Sequence, residues 1–275
     1  MVASSPVDYQ VFRDFLEDAC GILLGENKQY LVSSRLNALM VEHNIETLRE
    51  LVKRISQITN RKLKEEVIDA MTTNETLWFR DSHPFDIFKN KLLPEFQQGR
   101  NGSMRVWCAA CSSGQEPYSL AMMTEEYRSS KMGSLKSPVE IVATDLSASM
   151  LEQCKRGEYD SLSLGRGLSQ DRLKRFFDKA DGDVWRVKPE LRKPIRFQAR
   201  NLMDSFSTMG KFDVVFCRNV LIYFSAELKL DILRRIHTSL RPGGYLILGA
   251  SEGLSGVKEY YEMVQCHPGI IYRAI

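Results

Sequence analysis

The 275-residue chain has no apolar run approaching the roughly 18 residues of a membrane span. Its first residues, "MVASSPVDYQ", carry no signal-peptide pattern, so a soluble, cytoplasmic protein without membrane insertion is expected. Charge of one sign is also missing: 38 Lys and Arg face 35 Asp and Glu, a balance that gives no case for nucleic acid as a partner. Cysteine is sparse. Cys20, Cys108, Cys111, Cys154, Cys217 and Cys266 are scattered through a composition that is 43% apolar, so no disulfide framework is needed. Only Cys108 and Cys111 have metal-like spacing, and no second Cys-x-x-Cys or His pair completes a zinc site. No metal is expected, and packing as small apolar side chains is the plain reading of both. The four histidines, His43, His83, His237 and His267, supply no base at a strand end. Neither an internal repeat nor a low-complexity stretch occurs.

What is present divides into two patterns. From residue 8 to about 97, "YQVFRDFLEDACGIL", "YLVSSRLNALMVEH", "LKEEVIDAMTTN" and "HPFDIFKNKLLPEF" repeat apolar residues at three- and four-residue spacing, which predicts helices. We assign a helical N-terminal domain to 1–75 and a linker helix to 76–100. Between Arg49 and Lys64 lie six basic residues (Arg49, Lys53, Arg54, Arg61, Lys62, Lys64) and one acid, Glu50. They read either as a solvated helix face or as a docking patch for an acidic partner. From about 104 onward the strand-like runs "MRVWCAA", "VEIVATD", "IRFQAR", "FDVVFCR" and "GYLILGA" alternate with helical segments near 117–129, 147–155 and 225–239. Such alternation predicts an α/β domain over 101–275 with a mostly parallel sheet covered on both faces. The end, "YYEMVQCHPGIIYRAI", reads as a closing antiparallel hairpin. That layout is usual for class I methyltransferases, whereas a plain dinucleotide fold would continue in parallel. Residues 157–194 break the alternation and are taken as an inserted β-subdomain.

In an open α/β sheet, ligands sit past the carboxyl ends of the strands. The turn after the first strand, "CSSGQEP", lacks the Gly-x-Gly-x-x-Gly of a pyrophosphate cradle, which disfavours a dehydrogenase. Its small residues permit close approach, and Pro117 suits the start of a helix. Glu116 would repel a pyrophosphate but attract an ammonium or sulfonium. Asp145 closes the second strand, where an acid accepts hydrogen bonds from ribose hydroxyls. Asn201 and Leu202 follow the third and offer an amide and an apolar contact to adenine, with a helix cap as the alternative for Asn201. Arg218, Asn219 and Tyr223 come after the fourth. Their order along one sheet fits S-adenosylmethionine, with S-adenosylhomocysteine as product.

The segments "TTNETLWFRDSHPF", "RVWCAACSSGQEPYSLA", "ATDLSASMLEQCKRGEY", "RNLMD", "FDVVFCRNVLIYF" and "LRPGGYLILGASE" together resemble the CheR-type chemotaxis receptor methyltransferases, from about residue 8 to the end. The resemblance implies a class I methyltransferase domain with an all-α N-terminal domain and an inserted antiparallel β-subdomain. It implies methyl transfer from S-adenosylmethionine to glutamate carboxylates on the cytoplasmic helices of chemoreceptors. It places Asn74, Thr76 and Arg80 on the cofactor from the linker, and gives Glu116 the amino acid end and Asp145 the ribose. Further contacts fall to Asn201, Leu202, Arg218 and Asn219, while Arg80 and Tyr223 are nearest the acceptor. Two departures are visible. Gln115 stands where many relatives carry a second Glu, and "FFDKADGDVWRV" looks too short for the insertion that tethers some relatives to a receptor's C-terminal pentapeptide. No tether is therefore expected, the sequence leaves any regulatory protein partner unidentified, and a monomer is expected. The alternative is the same fold acting on another protein, RNA or a small molecule, although "RNVLIYF" is not the Asn/Asp-Pro-Pro-aromatic motif of nucleobase amino methylases.

Overall fold

A computed structural model describes residues 5–99, 102–130, 135 and 137–275. Residues 1–4, 100 and 101, at the edges of the expected domains, lie outside the described residues. The first helices are α1 (Pro6–Cys20), α2 (Gln29–Glu42), α3 (Leu48–Ile55) and α4 (Arg61–Met71). The Ser5 side chain caps α1 by accepting from the Asp8 amide, and Thr47 does the same for α3 through Glu50. Along α1 the buried residues Tyr9, Phe12, Leu16 and Cys20 recur every three or four positions. They meet Val32, Leu36 and Met40 of α2, Leu51 of α3 and Val67 of α4 in a core separate from the two that flank the sheet.

The expected linker helix over 76–100 starts only at His83. Residues 74–82 run without helix, and Phe79, Asp81 and Ser82 are left-handed, with φ of 51, 65 and 49°. Tertiary contacts override the helical pattern here. The Trp78 amide donates to the Arg166 carbonyl at 3.1 Å and its indole N–H to the Ser163 carbonyl at 3.1 Å, so the backbone bonds sideways rather than along an axis. The helix then runs as α5 (His83–Ile87), a π-helical turn (Phe88–Leu92) and α6 (Leu93–Gly99).

Strands β1 (Met104–Ala109) and β2 (Val139–Asp145) are joined through α7 (Gln115–Ser129), and α8 (Ala148–Arg156) follows β2. The insertion holds β3 (Glu158–Asp160), α9 (Ser161–Gly165), α10 (Gln170–Phe176), β4 (Phe177–Lys179), β5 (Val184–Val187) and α11 (Pro189–Arg192). Its strands form an antiparallel sheet of order β3-β5-β4, apart from the main one. The main sheet resumes with β6 (Ile195–Ala199), β7 (Phe212–Cys217), α12 (Ala226–Ser239), β8 (Leu240–Leu248), β9 (Tyr261–Gln265) and β10 (Ile270–Ala274).

The seven strands are ordered β6-β2-β1-β7-β8-β10-β9, parallel except that β10 runs antiparallel to both neighbours. This is the class I methyltransferase arrangement. Successive side chains of a strand point to opposite faces. Val106 and Cys108 accordingly join the core beneath α7, and Trp107 and Ala109 join the one beneath α12. The switch point, where chain order reverses, lies between β1 and β7.

Candidate active site

A cavity of ≈ 350 Å³ opens past the carboxyl ends of β1, β2, β6 and β7, within the size range of small-molecule sites. One wall comes from the helical domain (Ile22, Leu23, Leu24, Leu31, Arg35), another from the linker, and the floor from the strand ends. All ten residues proposed from sequence, Asn74, Thr76, Arg80, Glu116, Asp145, Asn201, Leu202, Arg218, Asn219 and Tyr223, line it.

The turn after β1 is tightly coiled: Ala110, Ser112 and Gly114 have φ of 64, 49 and 96°. A Cβ on Gly114 would lie 2.9 Å from the Tyr159 hydroxyl and 3.0 Å from Cys154 Sγ, so both conformation and space demand glycine. The turn delivers the Ser112 amide to Asp145 Oδ2 at 2.7 Å and the Ser112 hydroxyl to the Asn74 carbonyl at 2.8 Å. Helix α7 starts at Gln115, two residues before Pro117, whose missing N–H still falls among the unbonded amides of the first turn.

Glu116 is mostly buried beside the cavity, its side chain 12% exposed, and this burial pushes its carboxyl above the ordinary value against the pull of Arg218. It accepts from Arg218 Nη1 at 2.9 Å. A carboxylate has about four acceptor positions, so this contact leaves Glu116 capacity for a ligand cation.

Arg218 is less open than its place at a strand end suggests. Its side chain is only 2% exposed, and Nη2 donates to Asp81 Oδ2 at 2.7 Å and to the Arg80 carbonyl at 2.8 Å. Its Nε–H has no partner among the described residues. The guanidinium balances two carboxylates and ties the linker turn to β7, which is a different arrangement from a side chain free to hold a ligand.

Burial also raises Asp145 above the ordinary carboxyl value, opposed by the Ser147 and Ser112 amides it accepts. Ser147 caps α8, and its hydroxyl bonds to Asp69 of α4, so the helical domain braces the residue that holds Asp145. Asn201 lines the cavity but caps no helix among the described residues. Its amide donates to the Ala19 carbonyl of α1 at 2.9 Å and its Oδ1 accepts from the Met203 amide at 3.0 Å, which makes it a bridge between domains.

Arg80 donates through Nη1 to the Glu75 carbonyl at 3.1 Å and forms no carboxylate pair among the described residues. The Tyr223 carbonyl takes the Leu23 amide at 2.8 Å, and the residue lines the cavity. Asn74 bonds Thr72 through its amide, and Thr76 and Leu202 contribute lining. Among the described residues no cluster of three or more His, Cys, Asp or Glu is placed to hold a metal.

Sequence reasoning missed Asp81, Trp78 and Glu252. Asp81 and Trp78 sit inside "NETLWFRD", and Glu252 follows a strand end in "LGASE", the only signals available. The basic run is largely paired within its own domain: Arg49 with Asp8, Arg54 with Glu50, Arg61 with Glu65 and Lys62 with Glu66, at 2.5–3.5 Å.

Comparison with known proteins agrees with this geometry. The profile of the CheR methyltransferase SAM-binding domain matches residues 74–270, and that of the CheR methyltransferase all-alpha domain matches 7–72. The chain is 59% identical over 274 residues to "Chemotaxis protein methyltransferase Cher2" of Pseudomonas putida, covering 99% of this chain and 100% of the relative. Identity is 58% over 274 residues to "Chemotaxis protein methyltransferase 1" of Pseudomonas aeruginosa, with the same coverage. It is 51% over 272 residues to "Chemotaxis protein methyltransferase" of Vibrio parahaemolyticus, covering 99% and 98%.

Proposed function

The chain belongs to the CheR methyltransferase family, and on that premise we propose that it methylates glutamate side chains on the cytoplasmic helices of chemoreceptors. The cofactor is S-adenosylmethionine. The donor set suits it: a small-residue turn for close approach, the buried acid Glu116 for the ammonium, and Asp145 for the ribose hydroxyls. When bound, it supplies an electrophilic methyl on sulfur. The acceptor needs no deprotonation, because a glutamate with a reference pKa near 4.3 is already an anion at neutral pH. The protein therefore has to align and to exclude water. Alignment to roughly 3–3.5 Å and replacement of solvent by fixed dipoles are what lower such a barrier.

One observation carries this reading: Arg80, without a carboxylate partner, and Tyr223 share a cavity with the acids that fit a cationic cofactor. Arg80 orients the acceptor carboxylate, and Tyr223 assists through its hydroxyl. Labelled S-adenosylmethionine, incubated with the protein and receptor-bearing membranes, should leave label that mild base releases as methanol. Label that resists base would reject a carboxyl ester.

The helical domain's basic run from Arg49 to Lys64 remains a docking proposal. Exposed ion pairs contribute only about 0–1 kcal/mol and can exchange partners with an acidic helix. Lys53→Glu with Lys62→Glu should slow receptor methylation and leave S-adenosylhomocysteine binding intact; unchanged methylation would remove the docking face. The turn between β4 and β5 spans only residues 180–183, and we retain the proposal that no pentapeptide tether exists. Sub-micromolar binding of a receptor-tail pentapeptide in calorimetry would overturn it. No described helix is long and apolar enough to cross a membrane. We place the protein in the cytoplasm as a monomer, which cell fractionation and light scattering check.

A further inference from the structure

The carboxylate of Glu252 accepts four backbone N–H groups. Oε2 takes Gly249 at 2.9 Å and Asn219 at 2.8 Å, and Oε1 takes Val220 at 3.0 Å and Leu221 at 2.8 Å. Three of these donors are consecutive, forming a nest of the kind that concentrates positive potential on an anion. Here the anion is built into the chain. The same turn begins with Asn219 at φ 57°, a left-handed conformation that asparagine tolerates better than most other non-glycine residues. Gly249 permits the approach: a Cβ there would stand 2.7 Å from Glu252 Oε2 and 2.9 Å from the Asn219 amide.

We propose that Glu252 is a positioning residue for methyl transfer, its carboxylate setting the Asn219–Tyr223 turn so that Tyr223 and Asn219 face the cavity in working register. The inference rests on the proposed acceptor role of Tyr223. Glu252 lies outside the cavity lining, so it acts through the turn and not on the ligand. An apolar or neutral side chain leaves at least two of the four N–H groups without an acceptor, and an unpaired buried donor is costly enough to remodel a turn.

The removed atoms of Glu252→Ala, one CH₂ and the carboxylate, have the shape and charge of acetate. In the full-length protein, turnover of Glu252→Ala on receptor membranes should fall on the order of ten- to a hundredfold, as expected for a misplaced group. The KM for S-adenosylmethionine should change less. Added sodium acetate should restore part of the turnover, while sodium chloride at equal ionic strength should not, and wild-type protein gains nothing from either. Glu252→Gln keeps the volume but turns an NH₂ toward two donors; it should be slow and not respond to acetate. Wild-type turnover in both variants, or a folded Glu252→Ala protein that acetate leaves unchanged, would overturn the assignment. Should Glu252→Ala fail to fold, slow turnover in folded Glu252→Gln supports the assignment and wild-type turnover rejects it. Wild-type protein that methylates no receptor would instead reject the function, which separates the two failures.

Discussion

Arg80 and Asp145 line one cavity, and on the proposed function they divide two tasks. Arg80→Ala should lower turnover on the order of a hundredfold, the scale of removing one preorganised charge donor, and weaken S-adenosylhomocysteine binding much less. Asp145→Ala should do the reverse, weakening binding roughly tenfold or more, since hydrogen bonds to a charged group contribute about 1.5–3 kcal/mol. Equal loss of affinity in both would contradict the division. Glu116 adds a pH signature. On the proposed function its charged form pairs with the cofactor ammonium, and burial raises its pKa above that of an ordinary glutamate. Affinity is then full at neutral pH and falls with acidification, starting at a higher pH than an exposed glutamate would dictate. Calorimetry should show that fall, with Asp145 as the second contributor, and Glu116→Gln should flatten the Glu116 part. Constant affinity down to acid unfolding would contradict it. At this scale the sequence named the site's members but not their bonds. Asn201 reaches a carbonyl 182 positions away, a contact no local spacing reveals.

The elements differ in how plainly they can be read. Strands β1 and β7 are buried along nearly their whole length, so they appear as continuous apolar runs. Strands β3 and β4 have three residues each, with one of them buried, and present no period to detect. The linker misled because its shape comes from the insertion. Trp78 packs edge-on against Tyr159 and Phe177, at centroid distances of 4.9 and 5.5 Å, and this wedge fixes the turn that carries Arg80. Gly167 clamps it from the other side: φ is 102°, and a Cβ would stand 2.2 Å from the Trp78 carbonyl oxygen. Gly167→Ala should cost about 1–3 kcal/mol of stability from the forbidden conformation alone. It should also reduce turnover more than S-adenosylhomocysteine affinity. Thermal unfolding and receptor methylation together check this, and a variant matching wild type in both would show that the clamp is idle.

At the scale of the molecule, the site exists because the helical domain closes over the sheet. Gly21 ends α1 at φ 76° against α12, where a Cβ would lie 2.4 Å from Leu228 Cδ2. Beside it the Leu23 amide bonds the Tyr223 carbonyl, the Asn201 amide bonds Ala19, and Asp69 bonds Ser147. These contacts make the domain a wall of the cavity, which neither hydrophobic period nor charge count could disclose. On the proposed function the cavity shields from water an acceptor that is already charged, which requires that acceptor to be a carboxylate. Mapping the methyl group by tandem mass spectrometry, on receptors treated with the protein and S-adenosylmethionine, tests that directly. The predicted result is methyl on glutamate side chains of the cytoplasmic helices, each removed by mild alkali; alkali-stable methyl on lysine, arginine or another nitrogen would contradict it.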